Sequence, residues 1–137
     1  MQHSEEFLAV VNDAKTRVCE VTVDETIERM EQGGQLIDVR EDNEWRDGHA
    51  SGAIHMGKGV IERDIVHSIP DKSAELILYC GGGYRSALAA DMLQKMGYTL
   101  KPRESWGFMN VVTWDRKSNT LDAASDPRRP SGLGKVE

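Results

Sequence analysis

Leu76-Ile77-Leu78-Tyr79-Cys80-Gly81-Gly82-Gly83-Tyr84-Arg85-Ser86-Ala87-Leu88-Ala89-Ala90 sets the architecture of this chain. The run from Leu76 to Tyr79 is apolar and short enough for a buried strand. Cys80 closes it, three glycines follow, and Arg85-Ser86 opens an Ala/Leu-rich helical run. Strand, tight loop and helix in that order carry the Cys80 sulfur beyond the carboxyl end of a strand, where open α/β sheets bind ligands. A helix start offers unpaired backbone N–H groups and the positive end of a dipole, both of which favour a thiolate or a bound anion. Gly81, Gly82 and Gly83 can turn successive N–H groups inward as a nest around whatever sits on sulfur. With the Arg85 guanidinium five residues on, the stretch reads as a nucleophilic cysteine in an anion-binding loop.

Outward from this stretch, strand and helix signals alternate. Glu5 to Arg17 has Phe7, Leu8, Val11 and Ala14 at helical spacing, a surface helix laid on the outside of the domain. Val18-Cys19-Glu20-Val21 is a short strand. Thr22 and Glu25 form a capping box, and the helix they start stops at Gly33-Gly34. Gln35 to Val39 is a second strand, Glu41 to Asp47 a short charged helix, Ala53 to Met56 a third strand and Val60 to Ser68 a helix. After the Cys80 unit, Thr99 to Arg103 is a weak last strand because of Pro102. Phe108 to Trp114 has helical character. Alternation of this kind predicts a mainly parallel sheet with helices on both faces. Right-handed crossovers then place the strand ends bearing Asp38 and Cys80 on one edge. The expected organisation is an N-terminal helix over 1–18, a domain over 19–116 and a mobile, Ser/Asn/Asp/Pro/Gly-rich tail over 117–137.

Composition narrows the function classes. A chain of 137 residues suits one domain. Its net charge of -6 argues against nucleic acid or an anionic membrane as partner, and no apolar run approaches the ~20 residues of a membrane span. The N-terminus is acidic where a secretory signal is basic. Two cysteines in unlike contexts fit a reducing cytoplasm better than a disulfide framework. Cys19, His49, His55 and His67 lack metal-ligand spacing, so no metal is expected; Cys19 reads as a small core residue.

Loop length separates the chemistries such a cradle serves. Cysteine phosphatases and arsenate reductases place five residues between Cys and Arg, enough to encircle a tetrahedral oxyanion. Four separate Cys80 from Arg85, and Ser86 stands where a phosphatase has its arginine. The shorter ring suits one extra sulfur atom. The segment Cys80 to Ser86 resembles the C-x-x-G-x-R-S loop of single-domain rhodaneses, a sulfurtransferase family. Leu36-Ile37-Asp38-Val39-Arg40 is similar to their D-V-R strand, and Glu44 to His55 to their E-x-x-x-G-H-I-x-G-A motif. The chain departs from the pattern at Ala50, where isoleucine is usual, at Trp106-Gly107, where a Gly-Gly pair is usual, and after Trp114, where Gly-x-Pro is usual.

The resemblance implies a three-layer rhodanese-like fold around a mainly parallel five-stranded sheet. It also implies a two-step reaction: the Cys80 thiolate takes a sulfane sulfur from a small donor, such as thiosulfate or a persulfide, and passes it to cyanide, a thiol or a protein acceptor. Cys80 and Arg85 are the expected catalytic residues, and Gly81, Gly82, Gly83, Tyr84 and Ser86 the loop that holds the persulfide. No metal or organic cofactor is required. A sulfur-relay module serving a partner protein is the alternative, and a cysteine phosphatase or arsenate reductase the more distant one. Asp38, Arg40 and Glu44 read as an ion-pair network that fixes the pocket edge. His49 reads as a hydrogen-bonded structural histidine, since persulfide transfer needs no strong base. Trp45, Trp106 and Trp114 read as core or rim packing.

Overall fold

The computed structural model describes residues 2–98 in full, and beyond them the backbone of residues 110–115, 120–122 and 133–135. The elements run α1 (Glu5–Lys15), β1 (Cys19–Glu20), α2 (Val23–Glu31), β2 (Gln35–Asp38), α3 (Asp42–Arg46), β3 (Ile54–His55), α4 (Ile61–Ser68), β4 (Leu76–Cys80), α5 (Tyr84–Lys95), β5 (Asn110–Asp115), β6 (Thr120–Asp122) and β7 (Leu133–Lys135). Local chemistry sets several of their ends. Ser4 caps α1 by accepting from the Phe7 N–H at 3.2 Å. At α2 the box is reciprocal: Thr22 Oγ1 accepts from the Glu25 N–H at 3.1 Å, and the Thr22 N–H donates to Glu25 Oε2 at 2.8 Å. The same helix ends in a Schellman motif, with Gly34 N–H on Arg29 O and Gly33 N–H on Met30 O. Gly33 takes φ +101° there, a left-handed conformation costly for any residue with a Cβ.

One sheet collects all the strands in the order β3-β2-β4-β5-β6-β7, with β1 also paired to β5. Strands β1 to β5 pair in parallel, whereas β5-β6 and β6-β7 are antiparallel. The sheet therefore has seven strands among the described residues, not five. Two differences from the sequence reading account for this. Asn110–Asp115 is a strand where helical character was expected: Val111, Val112 and Thr113 are β-branched, and pairing with β4 suits them better than a helical turn. Thr120–Asp122 and Leu133–Lys135 are paired strands where a mobile tail was expected. A ladder satisfies backbone groups without apolar side chains to bury, so composition does not reveal it. The expected strand at Thr99 to Arg103 lies outside the described residues, as do the side chains of Trp106 and Trp114.

β4 is central and all five of its residues are buried. Its side chains alternate between two cores. Leu76, Leu78 and Cys80 pack with Ile37, Val39, Ile61, Ile65, Ala87 and Leu93 on the α4/α5 side. Ile77 and Tyr79 pack with Leu36, Val21, Val23 and Ala50 on the α2 side. Burying each large aliphatic of this strand contributes about 1.5–3 kcal/mol. β2 pairs with β4 so that Asp38 lies opposite Tyr79, which puts the ends bearing Asp38 and Cys80 on one edge, as expected from right-handed crossovers. From β2 the chain turns outward to β3, and from β4 it turns the other way to β5. The crevice between them is a switch point of the kind that binds ligands in open sheets.

Candidate functional site

Gly83 is the hinge of the site. It sits before the first residue of α5 with φ +83° and ψ −4°. An L-residue would pay roughly 1–2 kcal/mol to adopt that conformation. The turn aims the Gly83 N–H at the Cys80 sulfur, 3.1 Å away. Ser86 Oγ, fully buried, lies 3.5 Å from the same sulfur. The N–H groups of Tyr84, Arg85 and Ser86 belong to the first helical turn, where no intrahelical acceptor exists. Cys80 thus ends a buried strand and faces the positive end of a twelve-residue helix.

Arg85 is held from a distance. Its Nη1 donates to Glu44 Oε2 at 2.7 Å and its Nη2 to Glu44 Oε1 at 3.0 Å, a bidentate pair across 41 positions of sequence. Glu44 also accepts from the Glu41 N–H at 2.9 Å, closing the first turn of α3. These contacts, the Arg85 pair foremost, hold its carboxyl down to about 2 from an ordinary 4.5. The same pair raises the Arg85 guanidinium further above its already high value, with the Cys80 sulfur adding to the effect. α3 directs the Glu44 carboxylate at Arg85, and Arg40 reaches it only through its charge, which also favours the ionised form.

Asp38 and Arg40 form their own buried pair. Arg40 Nη2 donates to Asp38 Oδ2 at 2.6 Å, its Nε and N–H donate to Oδ1 at 2.9 Å, and Nη2 also reaches Gly48 O at 2.8 Å. Tyr79 donates its hydroxyl to Asp38 Oδ2 at 2.7 Å and accepts from the Ala50 N–H at 2.9 Å. Burial pushes the Tyr79 hydroxyl well above the ordinary phenol range, and the Asp38 carboxylate pushes it further. Asp38 bonds to Tyr79, whose side chain lies on the α2 side of the sheet, so this network braces the edge from the face opposite Cys80. His49 Nδ1 donates to Trp45 O at 3.0 Å, and its ring stacks on Trp45 with centroids 3.4 Å apart. His55 stacks on the same indole at 4.9 Å.

A pocket of about 440 Å³ opens onto the sulfur, lined by His3, Phe7, Cys80, Gly82, Tyr84 and Arg85. Cys80 forms its floor and is 1% exposed. His3 and Phe7 were not anticipated. His3 precedes the Ser4 cap of α1 and Phe7 lies in its first turn, so helical spacing does not relate the two. Among the described residues no group of three or more His, Cys, Asp or Glu could hold a metal ion, and no helix there is long and apolar enough to cross a membrane.

Comparison with known proteins agrees with this geometry. The chain is 35% identical over 63 residues to the thiosulfate sulfurtransferase PspE of Escherichia coli (strain K12), a match covering 46% of this chain and 61% of that protein. It is 28% identical over 96 residues to the dual specificity phosphatase Cdc25 of Arabidopsis thaliana, covering 67% of this chain and 64% of that one. The chain thus spans less than two thirds of the length of either curated relative. In three dimensions it is similar to the polysulfide-sulfur transferase homodimer from Wolinella succinogenes, with a TM-score of 0.59, 25% identity, and coverage of 74% of this chain and 78% of that one. The profile of the rhodanese-like domain matches residues 22–105, more than half of the sequence. The match spans strands β2, β3 and β4 and the cysteine loop described above, and the chain belongs to the rhodanese-like domain family.

Proposed function

We propose that the chain is a sulfurtransferase that carries one sulfur atom on Cys80. The observation that supports this most is the size of the ring around the sulfur: Gly83 N–H and Ser86 Oγ close on it at 3.1 and 3.5 Å, with four residues between Cys80 and Arg85. In the first half-reaction the Cys80 thiolate attacks the sulfane sulfur of thiosulfate. The new S–S bond forms as the old one breaks, and sulfite leaves with the electron pair. In the second, cyanide or a thiolate attacks the outer sulfur, and the Cys80 thiolate is regenerated. Covalent transfer of this kind divides one difficult step into two easier ones. N–H donors from the loop stabilise the terminal sulfur anion as an oxyanion hole stabilises oxygen. In this reading Gly81, Gly82, Gly83, Tyr84 and Ser86 hold the persulfide and Arg85 positions the loop. Asp38, Arg40, Glu44 and His49 brace it. The working domain is residues 19–116, and a reducing cytoplasm keeps the thiol available.

Intact-mass measurement after incubation with thiosulfate tests the reading. Wild type is expected to gain the mass of one sulfur atom, to lose it on adding cyanide, and Cys80→Ser to gain nothing. A wild type that stays unmodified, or a Cys80→Ser variant that is modified equally, would sink it. Similarity to a protein named as a dual specificity phosphatase gives phosphate-ester hydrolysis a place as the rival reading. The loop is one residue short for an oxyanion and offers Ser86 where an arginine is needed, so no hydrolysis of an aryl phosphate above background is expected.

A further inference from the structure

The pocket over Cys80 is built from two parts of the chain. Cys80, Gly82, Tyr84 and Arg85 come from the end of β4, the loop and α5, but Phe7 comes from the first turn of α1 and His3 from just before its cap. That segment precedes the residues matching the family profile, which begin at 22. The His3, Phe7 and Tyr84 rings form one aromatic corner. His3 meets the Tyr84 ring edge-on with centroids 4.9 Å apart, Phe7 meets it edge-on at 6.0 Å, and His3 and Phe7 lie 5.0 Å apart. The corner is anchored. Arg17, just past α1, makes a bidentate pair with Asp91 of α5 at 2.7 and 2.9 Å, Gln94 Nε2 donates to Arg17 O at 2.9 Å, and Val11 and Ala14 are buried.

Charge at the mouth is already balanced. Arg85 is bound by both oxygens of Glu44. Lys15, whose Nζ lies 5.4 Å from the Tyr84 ring centroid, pairs with Glu20 at 3.3 Å. Among the described residues, Lys15 and Arg85 beside Tyr84 thus each face a carboxylate, while the walls offer three aromatic rings. The loop N–H groups serve any anionic donor alike, so a small dianion gains nothing from these walls, whereas a flat apolar body gains ring contact. We propose that His3 and Phe7 are specificity-determining residues that favour a sulfane-sulfur donor with an apolar, aromatic-sized body over thiosulfate. The inference rests on the sulfurtransferase reading and names its donor class. With an arene thiosulfonate the step balances: the Cys80 thiolate bonds to the outer sulfur, the bond from that sulfur to the sulfonyl sulfur breaks, and an arenesulfinate leaves with the electron pair.

The test uses the full chain with benzenethiosulfonate and thiosulfate as paired donors and cyanide as acceptor. The readout is the ratio of their kcat/KM values. Wild type is expected to favour the arene donor. Phe7→Ala and His3→Ala should each lower the ratio, Phe7→Ala by roughly tenfold, and Phe7→Tyr should restore most of it. Thermal melting of each variant separates lost fold from lost selectivity, and Phe7→Leu, which keeps an apolar side chain against α5, should retain an intermediate ratio if Phe7→Ala proves unstable. A ratio that no Phe7 or His3 variant changes overturns the wall while leaving the sulfurtransferase reading intact, and so does a wild type that prefers thiosulfate. Failure of both donors to load sulfur on Cys80 overturns the two together.

Discussion

At the scale of single residues, the site depends on a few groups whose partners are far away in sequence or on the other face of the sheet. Tyr79 and Cys80 are adjacent, yet they point into different cores, and that alternation separates support from chemistry. The Tyr79 hydroxyl bridges Asp38 and the Ala50 N–H. Tyr79→Phe removes a donor from a buried carboxylate and an acceptor from a buried amide while filling the same space. The expected cost is about 1–3 kcal/mol, read as a lower urea midpoint with an unchanged slope. Sulfur loading of Cys80 should persist in the folded variant. A variant as stable as wild type would show that the bridge contributes nothing, and a stable variant that fails to load would mean the two faces are coupled. The sequence marked Asp38, Arg40 and Glu44 as an ion-pair network at the pocket edge. Nothing in it pointed to Tyr79, since a tyrosine in an apolar run reads simply as core.

At the scale of elements, α3 acts as an arm that reaches across the switch point to α5. Its capping glutamate is also the partner of Arg85, so one carboxylate closes a helix turn and fixes the guanidinium beside Cys80. Because the folded value near 2 lies below the ordinary 4.5, the pairing stabilises the protein fully above the ordinary value. That contribution is lost as pH falls from about 4.5 toward about 2. Glu44→Gln cannot titrate there. Near neutral pH it should be less stable by about 1 kcal/mol, a modest figure because the pair is partly exposed, and the gap from wild type should narrow as the solution is acidified through that window. Urea denaturation at several pH values measures this, and a gap that stays constant with pH would remove Glu44 as the titrating group. The capping box of α2, the Gly33-Gly34 stop, the strand at β2 and the β4-loop-α5 unit were all legible, because each is written in neighbouring residues. The Glu44–Arg85 pair was not, because only the closed sheet brings those positions together. β5 differs from the helical character expected of Phe108 to Trp114 for another reason: so short a segment suits either element, and pairing with β4 decides for the β-branched run Val111-Val112-Thr113.

At the scale of the whole molecule, the N-terminal helix is the part whose role local reading leaves most open. Its amphipathic face was legible; its seat on α5, and the aromatic corner that the seat places over Cys80, were not. The helix is held by a short list of contacts, of which the Arg17–Asp91 pair is the most directional: Arg17 also pairs with Asp13, while Asp91 is only 9% exposed. Removing Arg17 leaves a largely buried carboxylate that keeps Lys95 at 3.6 Å. Local opening of α1 then becomes easier, since a peripheral element can detach without melting the sheet. In Arg17→Ala, amides of α1 should exchange with solvent markedly faster than in wild type, while those of β2 and β4 keep their protection. If the helix positions His3 and Phe7, the benzenethiosulfonate-to-thiosulfate ratio should fall in this variant too, although Arg17 does not line the pocket. Faster exchange of α1 with an unchanged donor ratio would separate the helix from selectivity. A fall in the ratio without faster exchange would instead place the effect in the charge of Arg17.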